Sequence, residues 1–401
     1  MILLLSVFWA NANPDEMDVF SKEGEQISIE DSDETEPQFE DETSEDKAYP
    51  DRIYKGAEWL GESPKFIWTC WRVMEGLYTR NYKGLMGTLE EAKKNFKGSA
   101  IAPTGRALMW QVMMLENFDF KYEKQYKTAF DIAHEELKES LKVPGSEAWE
   151  QFLLGALVGV DSIHLLRKEE FFAALGQGFE AVRYIDKAKK LAPDFVDSRL
   201  GDGLWLYWRS LIAMNIPGFS AFADQRKEGI ILMQKAEKES VFLRPAASHA
   251  LTYTWIEERK MLKAESTALR LHRAYPNNLI NLQLLGRIYL YRGNYPQSER
   301  TFKKVLAIDK ENERVHFYLS RLYLRWRKVS LAQNHIDKYL TFELSDIHKG
   351  YAHYYQGHIY SRQKKWEEAK NSYQLAWRYG KVKGSKEKIK VMEQRIYKQS
   401  L

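Results

Sequence analysis

Nine histidines are the side chains in this 401-residue sequence best suited to metal or acid–base chemistry. Three of them, His348, His353 and His358, lie close together. Residues five apart do not share one face of a helix. No cysteine or carboxylate completes a tetrahedral ligand set with them. The sequence therefore predicts no metal site, and no other pattern in it indicates a cofactor.

Other catalytic patterns are missing as well. The sequence has no H-E-x-x-H, no paired cysteine ligands, no G-x-S-x-G and no Walker loop. Its single cysteine, Cys70, lies in an apolar run and is expected to be a small buried hydrophobe. Gly201 and Gly203 lack the third glycine and the preceding strand of a phosphate loop, so they are expected to permit a close helix contact. We predict that the protein is not an enzyme.

The charge is distributed unevenly along the chain. Residues 13–50 contain 15 Asp and Glu against 2 Lys, which gives −13 there and leaves +17 on residues 51–401 of a chain whose net charge is +4. With so few apolar residues, the segment 13–50 is predicted to be disordered. A basic body of this kind attracts acidic peptides, anionic glycans, lipid headgroups or nucleic acid.

The first twelve residues are apolar and end in Ala10-Asn11-Ala12. This pattern is typical of a secretory signal peptide with a small-x-small cleavage site, and the run is too short to span a bilayer. We therefore predict an exported protein of the periplasm or cell envelope. The alternative is a cytoplasmic protein whose N-terminus is apolar but is not a signal.

Residues 245–383 show self-similarity with a period of about 34 residues. Copies begin at Pro245, Leu279, Glu313 and Gly350, the last after three extra residues. Glycines and alanines recur where two helices of a hairpin must approach closely, and tyrosines recur where neighbouring hairpins meet. The positions that carry the pattern are Leu251, Trp255, Ala264, Pro276, Leu285, Gly286, Tyr289, Phe302, Leu319, Tyr323, Ala332, Gly357, Tyr360, Ala369 and Tyr373.

Helical periodicity continues on both sides of these repeats. In residues 51–244 the spacing of Ala181, Ile185 and Ala188 indicates a helix, but the 34-residue period is difficult to recognise. Residues 384–401 have one apolar stripe and a charged opposite face, as a capping helix requires. The predicted fold is all-α, a solenoid of antiparallel helix pairs with a divergent N-terminal half.

The repeats resemble the tetratricopeptide superfamily over residues 245–383. The glycine-rich helix at Gly201 and Gly203, the loop at Pro217 and the segment Asp224–Gly229 extend the likeness to about 60–383. Over that range the sequence is similar to the tetratricopeptide repeat protein 39 type and its uncharacterised bacterial relatives. The resemblance implies a helical scaffold without known enzymatic activity.

The resemblance also implies a binding groove, because the first helix of each tetratricopeptide repeat lines the concave surface. The residues at groove positions are mostly arginine and aromatic, and none is acidic. Arginine binds carboxylates through paired hydrogen bonds. The predicted groove residues are Gln283, Arg287, Tyr291, Arg314, Phe317, Arg321, Arg325, Tyr351, Tyr354, His358 and Arg362.

These features predict a scaffold or adaptor that binds acidic or extended protein segments. One alternative is that residues 15–46 occupy the groove of their own chain. Another is peripheral binding to an anionic membrane or cell-wall polymer, which the lysines between Lys381 and Lys390 favour. Single-stranded nucleic acid also suits arginine and aromatic rings, but the predicted export and the acidic segment argue against it.

Overall fold

The computed structural model describes residues 49–142, 147–168, 170–215 and 224–400, and within these ranges every regular element is a helix. The predicted all-α fold of successive helix pairs is confirmed. The predicted signal peptide at 1–12, nearly all of the acidic segment 13–50, and residues 15–46 lie outside the described residues. None of the described helices combines the length and apolarity needed to cross a membrane.

The described helices fall into two compact units, one over residues 49–281 and the other over residues 282–400. The first unit holds α1 to α11, and α12 continues from it into the second. In chain order the helices of this unit are α1 Asp51–Leu60, α2 Pro64–Tyr78, α3 Tyr82–Asn95, α4 Ile101–Asn117, α5 Glu123–Ser140, α6 Glu147–Arg167, α7 Phe171–Leu191, α8 Ser198–Asn215, α9 Arg226–Glu239, α10 Arg244–Glu257 and α11 Met261–Ala274.

Aromatic rings fill the core of the N-terminal unit. Phe66 and Trp149 meet edge to face with centroids 5.2 Å apart, and Phe152 and Phe195 do so at 4.8 Å. These arrangements are the ones that ring quadrupoles favour. Helix α6 carries apolar residues on nearly all sides and is buried along most of its length, as expected for a helix surrounded by others.

A buried carboxylate organises the start of α10. Asp197 is fully buried, and its two carboxylate oxygens accept the backbone N–H groups of Val241, Phe242 and Leu243 at 2.7, 2.8 and 3.0 Å. Burial raises the pKa of Asp197 to about 6, although the three N–H groups favour the ionised form. The side chain therefore fixes a turn that is 44 residues away in sequence.

The beginning and the end of the N-terminal unit are in contact. The Tyr275 hydroxyl donates to Glu75 Oε2 at 2.9 Å, and Asn278 Nδ2 donates to the Tyr78 carbonyl at 3.2 Å. Both bonds join residues 200 apart. A simple stack of repeats makes contacts only between neighbours, so this unit departs from a simple stack by joining α2 to the segment after α11.

The C-terminal unit is a regular series of helix pairs. Asn312 caps α14 by accepting the Val315 N–H, and Ser345 caps α16 by accepting the His348 N–H. In the predicted capping region, Met392 of α18 is buried. The helices are α12 Leu279–Tyr291, α13 Tyr295–Ile308, α14 Glu313–Arg325, α15 Val329–Leu340, α16 Asp346–Arg362, α17 Trp366–Gly380 and α18 Ser385–Ser400.

Glycines at helix contacts have the role predicted for them. A Cβ atom added to Gly286 would lie 2.5 Å from the Phe302 ring, and one added to Gly203 would lie 2.7 Å from the Gly229 carbonyl oxygen. Real Cβ atoms essentially never approach other atoms so closely. The helices α12 and α13, and likewise α8 and α9, therefore require glycine where they meet.

We predict that Gly203→Ala lowers the free energy of unfolding by about 1–3 kcal/mol, because the added methyl group must displace the backbone of α9. The control is Gly87→Ala, at a helical position with no atom within 4 Å of the added Cβ. That substitution should raise stability by up to about 1 kcal/mol through helix propensity. Urea unfolding of both variants measures the difference, and equal stabilities would contradict the proposed contact.

Candidate peptide-binding surface

All the predicted groove residues lie on α12, α14 and α16, the first helices of three successive pairs. Four of them are buried, namely Gln283, Arg287, Tyr291 and Tyr354. The others are half-buried or, in the case of Arg362, exposed. We call these accessible residues the arginine–aromatic surface: Arg314, Phe317, Arg321, Arg325, Tyr351, His358 and Arg362.

Three arginines converge on one tyrosine beneath this surface. The guanidinium carbons of Arg287 and Arg314 lie 5.5 and 5.4 Å from the centroid of the Tyr318 ring. Arg314 Nε also donates to the Tyr318 hydroxyl at 2.7 Å. Burial acts to raise the pKa of Tyr318, but the charges of Arg287, Arg314 and Arg321 outweigh it and hold the pKa below its ordinary value of 10. The three guanidinium charges therefore favour the ionised form of the Tyr318 hydroxyl.

Arg321 links α14 to α16 through aromatic rings. Its guanidinium carbon lies 5.7 Å from the Phe317 centroid and 5.0 Å from the Tyr355 centroid. The two rings meet edge to face at 5.4 Å. A guanidinium held in this way has a defined position over the rings, so Arg321 presents its charge at the meeting point of two helices.

His358 is enclosed by aromatic side chains. Its ring centroid lies 4.7 Å from that of Tyr354 and 5.5 Å from that of Tyr373. Its Nε2 is buried and has no hydrogen-bond partner among the described residues. Burial, with smaller contributions from Lys388 and Arg362, lowers the pKa of His358 to about 3. The imidazole is therefore neutral at physiological pH and contributes no charge to the surface.

Arg325 and Arg362 occupy the last turns of α14 and α16. Cations in a last turn interact favourably with the helix dipole. Arg325 is half-buried and Arg362 is exposed. They are thus charged groups near solvent at the ends of helices that carry the remaining surface residues.

Two of the tyrosines in this network were not among the predicted site residues. The Tyr318 hydroxyl accepts a hydrogen bond from Arg314, and the Arg321 guanidinium lies over the Tyr355 ring. Each directly follows a predicted groove residue, Phe317 or Tyr354, at equivalent places in two repeats. The recurrence of two adjacent aromatic residues was a signal available in the sequence. Only the packing shows that the second residue of each pair contacts an arginine.

The three clustered histidines do not converge. His353 stacks on Tyr379 at 5.8 Å, whereas His358 packs against Tyr354. A different pair does meet, since His316 Nδ1 and His335 Nδ1 are 3.0 Å apart. Within the described part of the chain, no group of three or more His, Cys, Asp or Glu is arranged to hold a metal ion.

The lowered pKa of His358 predicts a pH dependence of stability. The unfolded chain protonates this residue near pH 6.5, whereas the folded protein resists protonation until about pH 3. Between these pH values the unfolded state binds more protons than the folded state. The contribution of His358 therefore lowers the free energy of unfolding as the pH falls, by up to about 1.4 kcal/mol per pH unit.

We expect His358→Phe to retain more stability than the parent protein at pH 4 and to be nearly as stable at pH 7. Urea unfolding between pH 4 and 7 measures this difference, and taking the difference between the two proteins cancels the contributions of other titrating groups. Parallel pH profiles would show that His358 is not shielded from protons.

Comparison with known proteins supports part of the sequence interpretation. A tetratricopeptide repeat profile matches residues 282–315, which cover most of α12, all of α13 and the start of α14. No curated protein matches the sequence.

Two solved structures are similar at low identity. A human IFIT1 dimer with PPP-AAAA is 13% identical, covers 86% of this chain and 91% of its own, and has a TM-score of 0.47. The tetratricopeptide domain of P58(IPK) is 14% identical, with coverages of 86% and 92% and a TM-score of 0.26. The profile match shows that residues 282–315 are similar to a tetratricopeptide repeat.

Proposed function

We propose that the protein is a non-enzymatic scaffold that binds acidic, extended protein segments on the arginine–aromatic surface. The observation that carries the proposal is the convergence of arginines on Tyr318, where the guanidinium carbons of Arg287 and Arg314 lie 5.5 and 5.4 Å from the ring centroid. A carboxylate placed against this surface would gain charge-assisted hydrogen bonds, and aliphatic stems of the ligand would pack on the rings.

The division between buried and accessible residues defines how the ligand would bind. The buried Arg287 supports Tyr318 from below and is not a contact residue. Arg325 and Arg362 supply the charges within reach of a ligand. Acidic residues spaced along an extended peptide would thus bind to side chains of α14 and α16, and the peptide would lie across the two helices.

A synthetic peptide of residues 15–46 tests this proposal, because it supplies dense carboxylates and spaced apolar residues. Its binding to the protein with residues 13–48 deleted should be measured at about 50 mM salt, where screening is weak. We predict that replacing Arg325 and Arg362 by Gln weakens binding about 3- to 10-fold, the range for two partly exposed charge pairs. The affinity should also depend less on salt.

The matched control replaces two exposed lysines of the same unit, Lys310 and Lys398, by Gln. It removes the same net charge away from the arginine–aromatic surface. An equal loss of affinity in both double variants would show that the peptide responds only to net charge. Absence of binding at low salt would end the proposal for this peptide, and with it the proposal that residues 15–46 occupy the surface of their own chain.

A second candidate function is peripheral contact with an anionic membrane or cell-wall polymer, which fits the predicted export. The observation that favours it is a group of exposed lysines in the segment between α17 and α18 and in α18 itself, namely Lys381, Lys383, Lys386 and Lys390. Co-sedimentation with vesicles containing anionic lipid tests it. Loss of sedimentation on replacing these four lysines, but not Arg325 and Arg362, would favour this function over peptide binding.

A further inference from the structure

An open groove on the N-terminal unit lies between the end of α3, the start of α4 and the facing side of α5. Its volume is about 1010 Å³. The lining includes the half-buried rings of Phe96 and Trp110, and Ile132 contributes a side chain that is 48% exposed. Apolar side chains that remain accessible in a concave surface favour burial by another chain segment.

The charged side chains of the groove are mostly basic. They comprise Lys93, Lys97, Arg106 and Lys124 against a single carboxylate, Glu136. Arg106 forms a salt bridge with Glu90, whereas none of the three lysines forms one with an acidic side chain of the described residues. All three lysines are exposed. The groove therefore combines an apolar lining with free positive charge, which suits an acidic segment that also carries an apolar side chain.

The sequence just before the described chain has this composition. Residues 31–46 contain nine Asp and Glu and no Lys or Arg. Phe39 is the one aromatic residue among them, with four acidic residues before it and five after it. The segment thus offers a ring for the apolar lining and carboxylates for the lysines on either side.

The point at which this segment joins the described chain lies near the groove. The Tyr49 ring is 5.6 Å from that of Trp68 on α2, and Phe66 of the same helix is 5.3 Å from Phe96, which lines the groove. Phe39 precedes Tyr49 by ten residues, which span up to about 33–36 Å when extended. Two ring contacts and the width of α2, about 10–12 Å, are well within that reach.

We propose that residues 31–46 bind in this groove of their own chain. The Phe39 ring would pack against Trp110 and Ile132, and the flanking carboxylates would pair with the three lysines. Because the segment is tethered, its effective concentration is roughly millimolar, so a contact too weak to hold a free peptide would still keep the groove occupied. The groove is separate from the arginine–aromatic surface of the C-terminal unit, and the proposal does not rest on the function proposed for that surface.

Cleavage by a glutamate-specific protease measures this binding in the full chain, because the protease cleaves only the unbound segment. At about 50 mM salt, the bond after Glu40 should be cleaved at least about threefold more slowly in the full chain than in a free peptide of residues 31–46. At about 1 M salt, where charges are screened within about 3 Å, most of this protection should disappear. Equal cleavage rates at low salt would overturn the proposal.

Substitutions in the groove test whether its lysines hold the segment. Replacing Lys93 and Lys124 by Gln should weaken binding about 3- to 10-fold, the range for two exposed charge pairs, and so raise the cleavage rate toward that of the free peptide. The matched control replaces Lys94 and Lys127, which are exposed on the same two helices but do not line the groove. An equal rise in both double variants, or none in the first, would overturn the proposal.

Benzoylphenylalanine in place of Phe39 locates the segment, because it forms photocrosslinks with the groups around the ring. We expect crosslinks within the chain to the groove lining, close to Trp110 and Ile132. Crosslinks confined to α14 and α16 would place the segment on the arginine–aromatic surface, and crosslinked dimers alone would place it on a second copy of the chain. Either result, or the absence of crosslinks, would overturn the assignment, and each leaves the binding of other acidic segments to the arginine–aromatic surface to its own test.

Discussion

Paired helices in this protein approach so closely that some contact positions have no room for a side chain. Gly203 and Gly229 face each other between α8 and α9, and each would place a Cβ atom within 2.7 Å of the other's carbonyl oxygen. Gly286 and Gly357 instead accommodate the rings of Phe302 and Tyr373. A pair held this tightly still exposes apolar residues on its outer faces, so it is stable only against another pair. The succession of helices and the positions of the aromatic residues follow from this constraint.

The N-terminal unit meets the same constraint in a different way. Its helices pair in sequence, but Glu75 and Tyr275 join its two ends, and Asp197 ties α10 to the segment before α8. Helices held from several directions cannot all pack without gaps, since side chains have fixed shapes and preferred rotamers. A pocket lined in part by Trp149 lies among these elements. The unit is thus held together by contacts between distant residues as well as by helix pairing.

In the C-terminal unit, arginine has two roles that depend on its depth. Arg287 is almost fully buried and rests on Tyr318, whereas Arg362 is exposed. A guanidinium is more weakly hydrated than an ammonium group and stacks on aromatic faces, so it tolerates the buried position better than lysine would. From its buried position, Arg287 contributes positive charge beside the Tyr318 ring. Charge at the surface is therefore set partly by residues beneath it.

The sequence by itself determined the all-helical class, the repeats and the close helix contacts, because period, small residues and capping signals act over short distances along the chain. It also singled out the residue types on α12, α14 and α16. It did not separate the buried Gln283 and Tyr354 from the accessible Arg325 and Arg362. The depth of a position depends on how neighbouring pairs are rotated and stacked, which the repeat pattern does not encode.

Contacts between distant residues were likewise decided only by the tertiary structure. Neither the bonding of Asp197 to the turn before α10 nor the bond between Tyr275 and Glu75 has a local signature in the sequence. Nor does the local sequence indicate that the Thr104 Oγ1 and the Trp149 Nε1 are buried without hydrogen-bond partners among the described residues. Hydrogen-bond satisfaction and cavity volume are properties of groups assembled from many parts of the chain, and only the folded arrangement of those groups fixes them.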